Sequence, residues 1–168
     1  MDIKKAVLFK NTLEKRKLKI ACAESITAGL LASTIASVSG ASQILRASIV
    51  TYNEEIKTLL LHVRKETLKE KTAESGETTK EMLLGLIEMG LGADIYVTVT
   101  GAASAKDPNS NYRQVAEQGQ IYVAIQVKDD VKYFDFRFFD TERNIIREKT
   151  VDFILDKILE MVEKLPIN

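Results

Sequence analysis

Ala93-Asp94-Ile95-Tyr96-Val97-Thr98-Val99-Thr100 is the clearest buried strand in the 168-residue chain, and its reading decides the fold. β-Branched and aromatic residues fill it without a strict polar alternation, the pattern of a strand covered on both faces. Before it, Glu77 to Gly90 reads as a helix with Met82, Leu83, Leu86 and Met89 on one side. Further upstream, Ile44 to Tyr52 contains the run Ile49-Val50-Thr51-Tyr52, a second buried strand, and a short helix is expected around Glu54 to Leu61. The charged stretch Arg64 to Lys80 predicts exposed helix and turn around Ser75-Gly76.

At the start of the chain, Ile3 to Lys17 is an amphipathic helix, with Ile3, Ala6, Val7, Phe9 and Leu13 at helical spacing. Leu18 to Ala23 reads as a short strand. Leu30, Leu31, Thr34, Ile35 and Val38 then keep a helical period up to Gly40. Downstream of the central strand, Gly101 to Gln118 turns polar, and a loop of that length in a compact domain is functional or mobile. Gln120 to Val127 and Lys132 to Phe139 form a hairpin joined near Asp129-Asp130, and Thr141 to Leu165 is a long amphipathic helix. The order α-β-α-β-α-α-β-β-β-α predicts an α/β fold with a five-stranded mixed sheet and helices on both faces.

Composition bounds the function. Hydrophobic residues are 45% and charged residues 29%, a globular balance, and one domain spanning 1–168 is expected. Twenty-four Lys and Arg against 24 Asp and Glu give zero net charge, which argues against a dedicated nucleic-acid binder. One cysteine, Cys22, and one histidine, His62, exclude a disulfide framework and a Cys/His zinc site. No apolar run reaches the roughly 18 residues of a membrane span. Charge lies too close to the apolar patch in Met1 to Lys10 for a secretory signal, so cytoplasm is the expected address.

Chemistry in open α/β sheets gathers where strands end and helices begin. Two such places carry small polar residues leading into or beside glycine: Ala23-Glu24-Ser25-Ile26-Thr27-Ala28-Gly29-Leu30 and Val99-Thr100-Gly101-Ala102-Ala103-Ser104. Ser25 is a candidate nucleophile, with N–H groups nearby for an oxyanion. The plainer alternative makes Ser25 or Thr27 a helix N-cap. A serine nucleophile needs a base, and Lys57, five residues after Tyr52, is the candidate beside His62. To be neutral near pH 7 a lysine must lose about 3 units from ~10.4, roughly 4 kcal/mol of desolvation or like-charge bias.

These motifs, in this order, resemble the CinA C-terminal domain family, whose enzymatic members are nicotinamide-nucleotide amidohydrolases. The family's Ala-Glu-Ser-Cys-Thr-Gly-Gly-Leu corresponds to residues 23–30 here, and its Gly-Ala-Ser to Gly40-Ala41-Ser42. Its Tyr-Ser-Asn-Glu-x-Lys stretch matches at Tyr52, Glu55 and Lys57. Its Ala-Val-Ser-x-Glu run matches at Ala73, Ser75 and Glu77, and its Thr-Gly-Ile-Ala-Gly-Pro loop at Thr100, Gly101 and Ala103. Gly119 to Ala124 and the pair Arg143 and Arg147 complete the likeness, which runs from about Leu18 to Leu165. Several glycines are replaced: Ala28, Ala47-Ser48, His62 and Ser104-Ala105 stand at positions where the family has glycine or Gly-Pro, and Ile26 and Glu54 replace Cys and Asn.

The resemblance implies a three-layer α/β/α fold of the anticodon-binding-domain-like kind. It also implies hydrolysis of nicotinamide mononucleotide to nicotinic acid mononucleotide and ammonia, with no metal or cofactor. Ser25 would be the nucleophile, Lys57 the base, and Tyr52 a group that orients Lys57 or shares its proton. Thr27, Gly29, Thr100, Gly101, Ala103 and Arg143 would bind substrate, with Arg143 at the phosphate. A small-molecule nucleotide is the expected partner, and a homo-oligomer, a dimer, the expected assembly. Longer relatives carry an N-terminal pyrophosphatase domain, whose activity is not expected here. The rival reading is a family member that has lost turnover and serves as a nucleotide-binding or protein-interaction module, which the altered glycines favour.

Overall fold

The computed structural model describes residues 3–140 and 142–166. In chain order its elements are α1 (Ile3–Lys15), β1 (Ile20–Glu24), α2 (Leu30–Ala36), β2 (Leu45–Val50), α3 (Glu54–Leu61) and α4 (Lys65–Lys71). They continue with α5 (Gly76–Glu88), β3 (Ile95–Gly101), β4 (Gln120–Val127), β5 (Asp130–Arg137) and α6 (Arg143–Glu163). The strands form one sheet in the order β2-β1-β3-β4-β5. β2, β1 and β3 run parallel, whereas β4 and β5 are added antiparallel.

Period-two alternation sorts the sheet residues into two cores. Ile95, Val97 and Val99 of β3 join Ile20 and Cys22 of β1 against Phe9 of α1, Leu31 of α2 and Ile154 of α6. Ala21, Ala23 and Tyr96 face the other way, onto Leu61, Leu68, Met82 and Leu86 from α3, α4 and α5. The result is a three-layer α/β/α fold with a mixed five-stranded sheet, as the residue pattern and the resemblance predict.

The connections fix where a site can form. From β1 the chain crosses one face through α2 to reach β2, then crosses the other face through α3, α4 and α5 to reach β3. A crevice opens where the chain parts in two directions, at the C-terminal ends of β1 and β3. Glu24 and Val99 are register partners at that edge, so the loops after Glu24 and Gly101 emerge side by side. α3 reaches the same crevice because Gly85 lets α5 approach it closely. A Cβ at Gly85 would collide with the Leu61 carbonyl.

Three expectations are corrected. β2 is an edge strand rather than a buried one, and Val50 is 46% exposed. A β-branched run signals a strand but not its place in the sheet. The stretch from Arg64 to Lys80 is not simply exposed: α4 is a third helix between β2 and β3, and Thr67, Thr72, Ser75, Thr78 and Thr79 are buried. Its Lys and Glu residues mask a face of small threonines. The hairpin turns at Lys128-Asp129, with Lys128 at φ 54°, one residue earlier than predicted. α6 begins at Arg143; its predicted start, Thr141, lies outside the described residues, as do Met1 and Asp2 of the opening segment. No helix among the described residues is long and apolar enough to cross a membrane.

Candidate active site

The loop from Ser25 to Ala28 owes its shape to Glu24. This carboxylate is fully buried, and it accepts hydrogen bonds from the N–H groups of Gly29 (3.0 Å), Leu31 (3.0 Å) and Ala32 (2.9 Å) at the start of α2. The Ser48 hydroxyl donates a fourth, at 2.9 Å. Glu24 thus caps α2 from the preceding strand, which answers the N-cap alternative: neither Ser25 nor Thr27 caps the helix. Ser25 is tied instead by its N–H to the Val99 carbonyl and by its own carbonyl to the Ala28 N–H. The N–H groups of Ile26 and Thr27 donate to no acceptor among the described residues.

Ser25 meets Lys57. Lys57 Nζ donates to Ser25 Oγ at 2.9 Å, to the Thr51 carbonyl at 2.5 Å and, at a longer 3.5 Å, to the Tyr52 carbonyl. Three donors of an ammonium therefore find three oxygens, and the side chain is fixed in one direction. Lys57 is completely buried and Ser25 is 9% exposed, so the hydroxyl is the part of the pair that a ligand can touch. Burial lowers the Lys57 pKa to about 8, while the carboxylates of Glu74 and Glu54 hold it from falling further. Asn53 starts α3 by accepting the Glu55 N–H at 2.7 Å, which sets Lys57 one turn into the helix.

A cavity of about 480 Å³ opens in front of Ser25. Of the residues predicted from sequence, Ser25, Tyr52, Gly101, Ala103 and Arg143 line it. Tyr52 lies there differently from the expectation: only its carbonyl faces Lys57, and its hydroxyl accepts from the Arg143 guanidinium at 2.7 Å. Arg143 also donates to Ser104 Oγ at 3.0 Å. Gly101 has φ 155°, and a Cβ there would strike the Gln120 carbonyl. Thr27, Gly29 and Thr100 stand behind the wall. Thr100 shares a hydrogen bond with Thr79 at 3.0 Å, Gly29 donates to Glu24, and the Thr27 carbonyl accepts from Arg147 at 2.8 Å. These contacts tie the loops together behind the cavity surface.

Sequence reasoning missed the far wall. Glu54, Glu55, Glu74, Tyr112 and Gln114 also line the cavity. Tyr112 donates to Glu74 at 2.7 Å, and Arg113 reaches the Lys69 carbonyl, so the polar loop after Gly101 is fastened to α4 and to the turn that follows it. Glu74 occupies the valine position of the Ala-Val-Ser-x-Glu run, a departure that was the available signal. Burial raises its pKa against the opposing pull of the Tyr112 hydrogen bond. Among the described residues no group of His, Cys, Asp and Glu is placed to hold a metal ion.

Two of the positions where the family has glycine hold a left-handed backbone here. Ala28 sits at φ 48° and His62 at φ 55°, the left-handed conformation in which glycine is at ease. Other departures have acquired partners, since Ser48 binds Glu24 and Ser104 binds Arg143. At Ala28 and His62 the side chain is carried at the cost of local strain.

The CinA C-terminal domain family model matches residues 3–162 of the chain. A CinA-like protein of Petrotoga mobilis is 35% identical over 155 residues, which cover 92% of this chain but only 37% of that protein. The Mycoplasma pneumoniae protein named as a homologue of MG115 is 34% identical over 94% of both chains. Among solved structures, the competence/damage inducible protein CihA of Agrobacterium tumefaciens superposes with a TM-score of 0.84 at 26% identity. That match covers 96% of this chain and 95% of that one. The chain spans about a third of the length of several CinA-like relatives that it matches. With the family pattern matched over nearly its whole length and laid out on the same fold, the chain belongs to the CinA C-terminal domain family.

Proposed function

We propose that the chain is an amidohydrolase that deamidates nicotinamide mononucleotide, with Ser25 as nucleophile and Lys57 as general base. The buried 2.9 Å hydrogen bond between Lys57 Nζ and Ser25 Oγ carries this reading. A serine hydroxyl is a poor nucleophile unless its proton has a destination, and a lysine whose pKa is near 8 is partly neutral at physiological pH. In the neutral state Ser25 O–H donates to Lys57 Nζ. As Oγ attacks the carboxamide carbon, the proton moves to Nζ, and the carbonyl oxygen becomes an oxyanion facing the free N–H group of Ile26, which lines the cavity.

Collapse of that intermediate breaks the C–N bond, and the Lys57 ammonium returns its proton to the departing nitrogen, which leaves as ammonia. Water, deprotonated by the neutral Lys57, then attacks the acyl-serine. Nicotinic acid mononucleotide is released and Ser25 Oγ takes the proton back. Arg143, steadied by Tyr52 and Ser104, would bind the phosphate. Tyr52 then serves both ends, with its carbonyl on Lys57 and its hydroxyl on Arg143. Ammonia release from nicotinamide mononucleotide by the wild-type chain, and its loss in Ser25→Ala, tests the reading. Tight binding of the nucleotide without any turnover would support the binding-module alternative instead.

A further inference from the structure

The charges that line the cavity are not neutralised by one another. Glu54, Glu55 and Glu74 stand in its wall with Arg143, yet Arg143 donates to neutral oxygens, Tyr52 Oη and Ser104 Oγ, and pairs with none of the three carboxylates. Glu74 is only half satisfied. One of its oxygens takes the Tyr112 hydroxyl at 2.7 Å, and the other is buried without a hydrogen-bond partner. A carboxylate held this way is costly to an empty site and is relieved by a positive charge close by. Lys57 offers such a charge only while it is protonated. When it is neutral and ready to act as base, the acidic wall has lost that charge.

We propose that Glu74 is a specificity-determining residue, selecting a dipolar substrate whose positive charge lies on the ring that bears the carboxamide and whose negative charge is left for Arg143. This inference rests on the amidohydrolase reading of the same cavity. The Glu74 charge acts through space, because its free oxygen lies behind the cavity surface, and the low-dielectric wall keeps that field from being screened. A neutral ring of the same shape gains nothing from it. Tyr112 is the positioning residue, because its hydroxyl fixes the carboxylate through the other oxygen.

Two forms of one nucleotide separate charge from shape. Nicotinamide mononucleotide has a cationic pyridinium ring, and its reduced form has the same carboxamide and phosphate on a neutral dihydropyridine. Calorimetric binding of both is measured on Ser25→Ala, which cannot react, and on Ser25→Ala combined with Glu74→Gln or with Glu74→Asp. The preference for the oxidised form should fall about tenfold with Glu74→Gln and survive largely in Glu74→Asp. An unchanged ratio in Glu74→Gln, an equal loss in both variants, or binding of neither form would overturn the inference. Wild-type turnover is scored separately. No ammonia with a Glu74-dependent preference sinks the amidohydrolase reading alone, whereas ammonia release with an unchanged ratio sinks the charge selection alone.

Discussion

Lys57 Nζ lies 2.9 Å from Ser25 Oγ although 32 positions separate the two residues in the chain. Two crossover connections on opposite faces of the sheet bring them together, one opening with the loop after β1 and the other with α3. Their meeting depends on supports that are not themselves reactive, and these supports give the most direct tests of the structural account.

Glu24 is the first. Replacing it with alanine strips three N–H groups at the start of α2 and the Ser48 hydroxyl of their common acceptor. Buried donors left unpaired cost about 1–3 kcal/mol each, partly recovered by relaxation and water, so Glu24→Ala should lose at least about 3 kcal/mol in urea unfolding. A loss below about 1 kcal/mol would mean that the carboxylate does not hold the loop.

Ala28 stores strain that a single substitution should release. At φ 48° a Cβ costs roughly 1–2 kcal/mol, against which glycine loses some chain entropy on folding. Ala28→Gly is therefore expected to raise stability by about 0.5–1 kcal/mol, read as a higher urea midpoint with an unchanged slope. A lower midpoint would contradict the left-handed assignment.

Lys57 should also write itself into stability. Its pKa in the folded chain, about 8, lies below the ordinary 10.5 of the unfolded chain. Between these pH values the unfolded state binds the extra proton, so the Lys57 contribution to stability grows as pH rises from about 8 to 10.5. Below about pH 8 the folded state carries the buried ammonium and the penalty is largest, about 3 kcal/mol at ~1.4 kcal/mol per pH unit. Unfolding curves of wild type and Lys57→Met should therefore differ by an amount that shifts in favour of wild type by about that much over the window. Parallel curves would show that the folded pKa is not lowered.

The polar loop after Gly101 is expected to loosen when its fastening is cut. Tyr112→Phe removes the hydrogen bond to Glu74, and amide exchange across residues 105–118 should speed up while that of β3 and β4 stays constant. Equal protection in both proteins would assign the loop's order to its other contacts, such as Gln114 with the Ser104 carbonyl.

Sequence carried the architecture because periodicity reports burial, and burial by two layers of helices leaves a plain mark on strands such as Ile95 to Thr100. Edge position leaves no such mark, which is why β2 read as buried. Ser25 and Lys57 were legible through motif spacing, and their contact is a product of topology that spacing alone does not contain. Glu24 stood next to the candidate nucleophile, yet capping by a residue five positions before the first bonded N–H follows no local helix signal. Glu74 was hidden for another reason. It lies in a charged run, where a carboxylate pointing inward has the same letters around it as one pointing out.

The measurement that bears most directly on the central claim is the rate of ammonia release from nicotinamide mononucleotide by wild type, Ser25→Ala and Lys57→Arg across pH 6 to 10. The account predicts a wild-type rate that rises about tenfold per pH unit and levels off above about pH 8, as neutral Lys57 becomes available. Ser25→Ala should fold and release no ammonia. Lys57→Arg should be equally inactive, because arginine keeps the charge but gives up no proton in this range. A Lys57→Arg variant with a substantial share of the wild-type rate, or a wild-type rate independent of pH through 8, would contradict the assignment of Lys57 as the base.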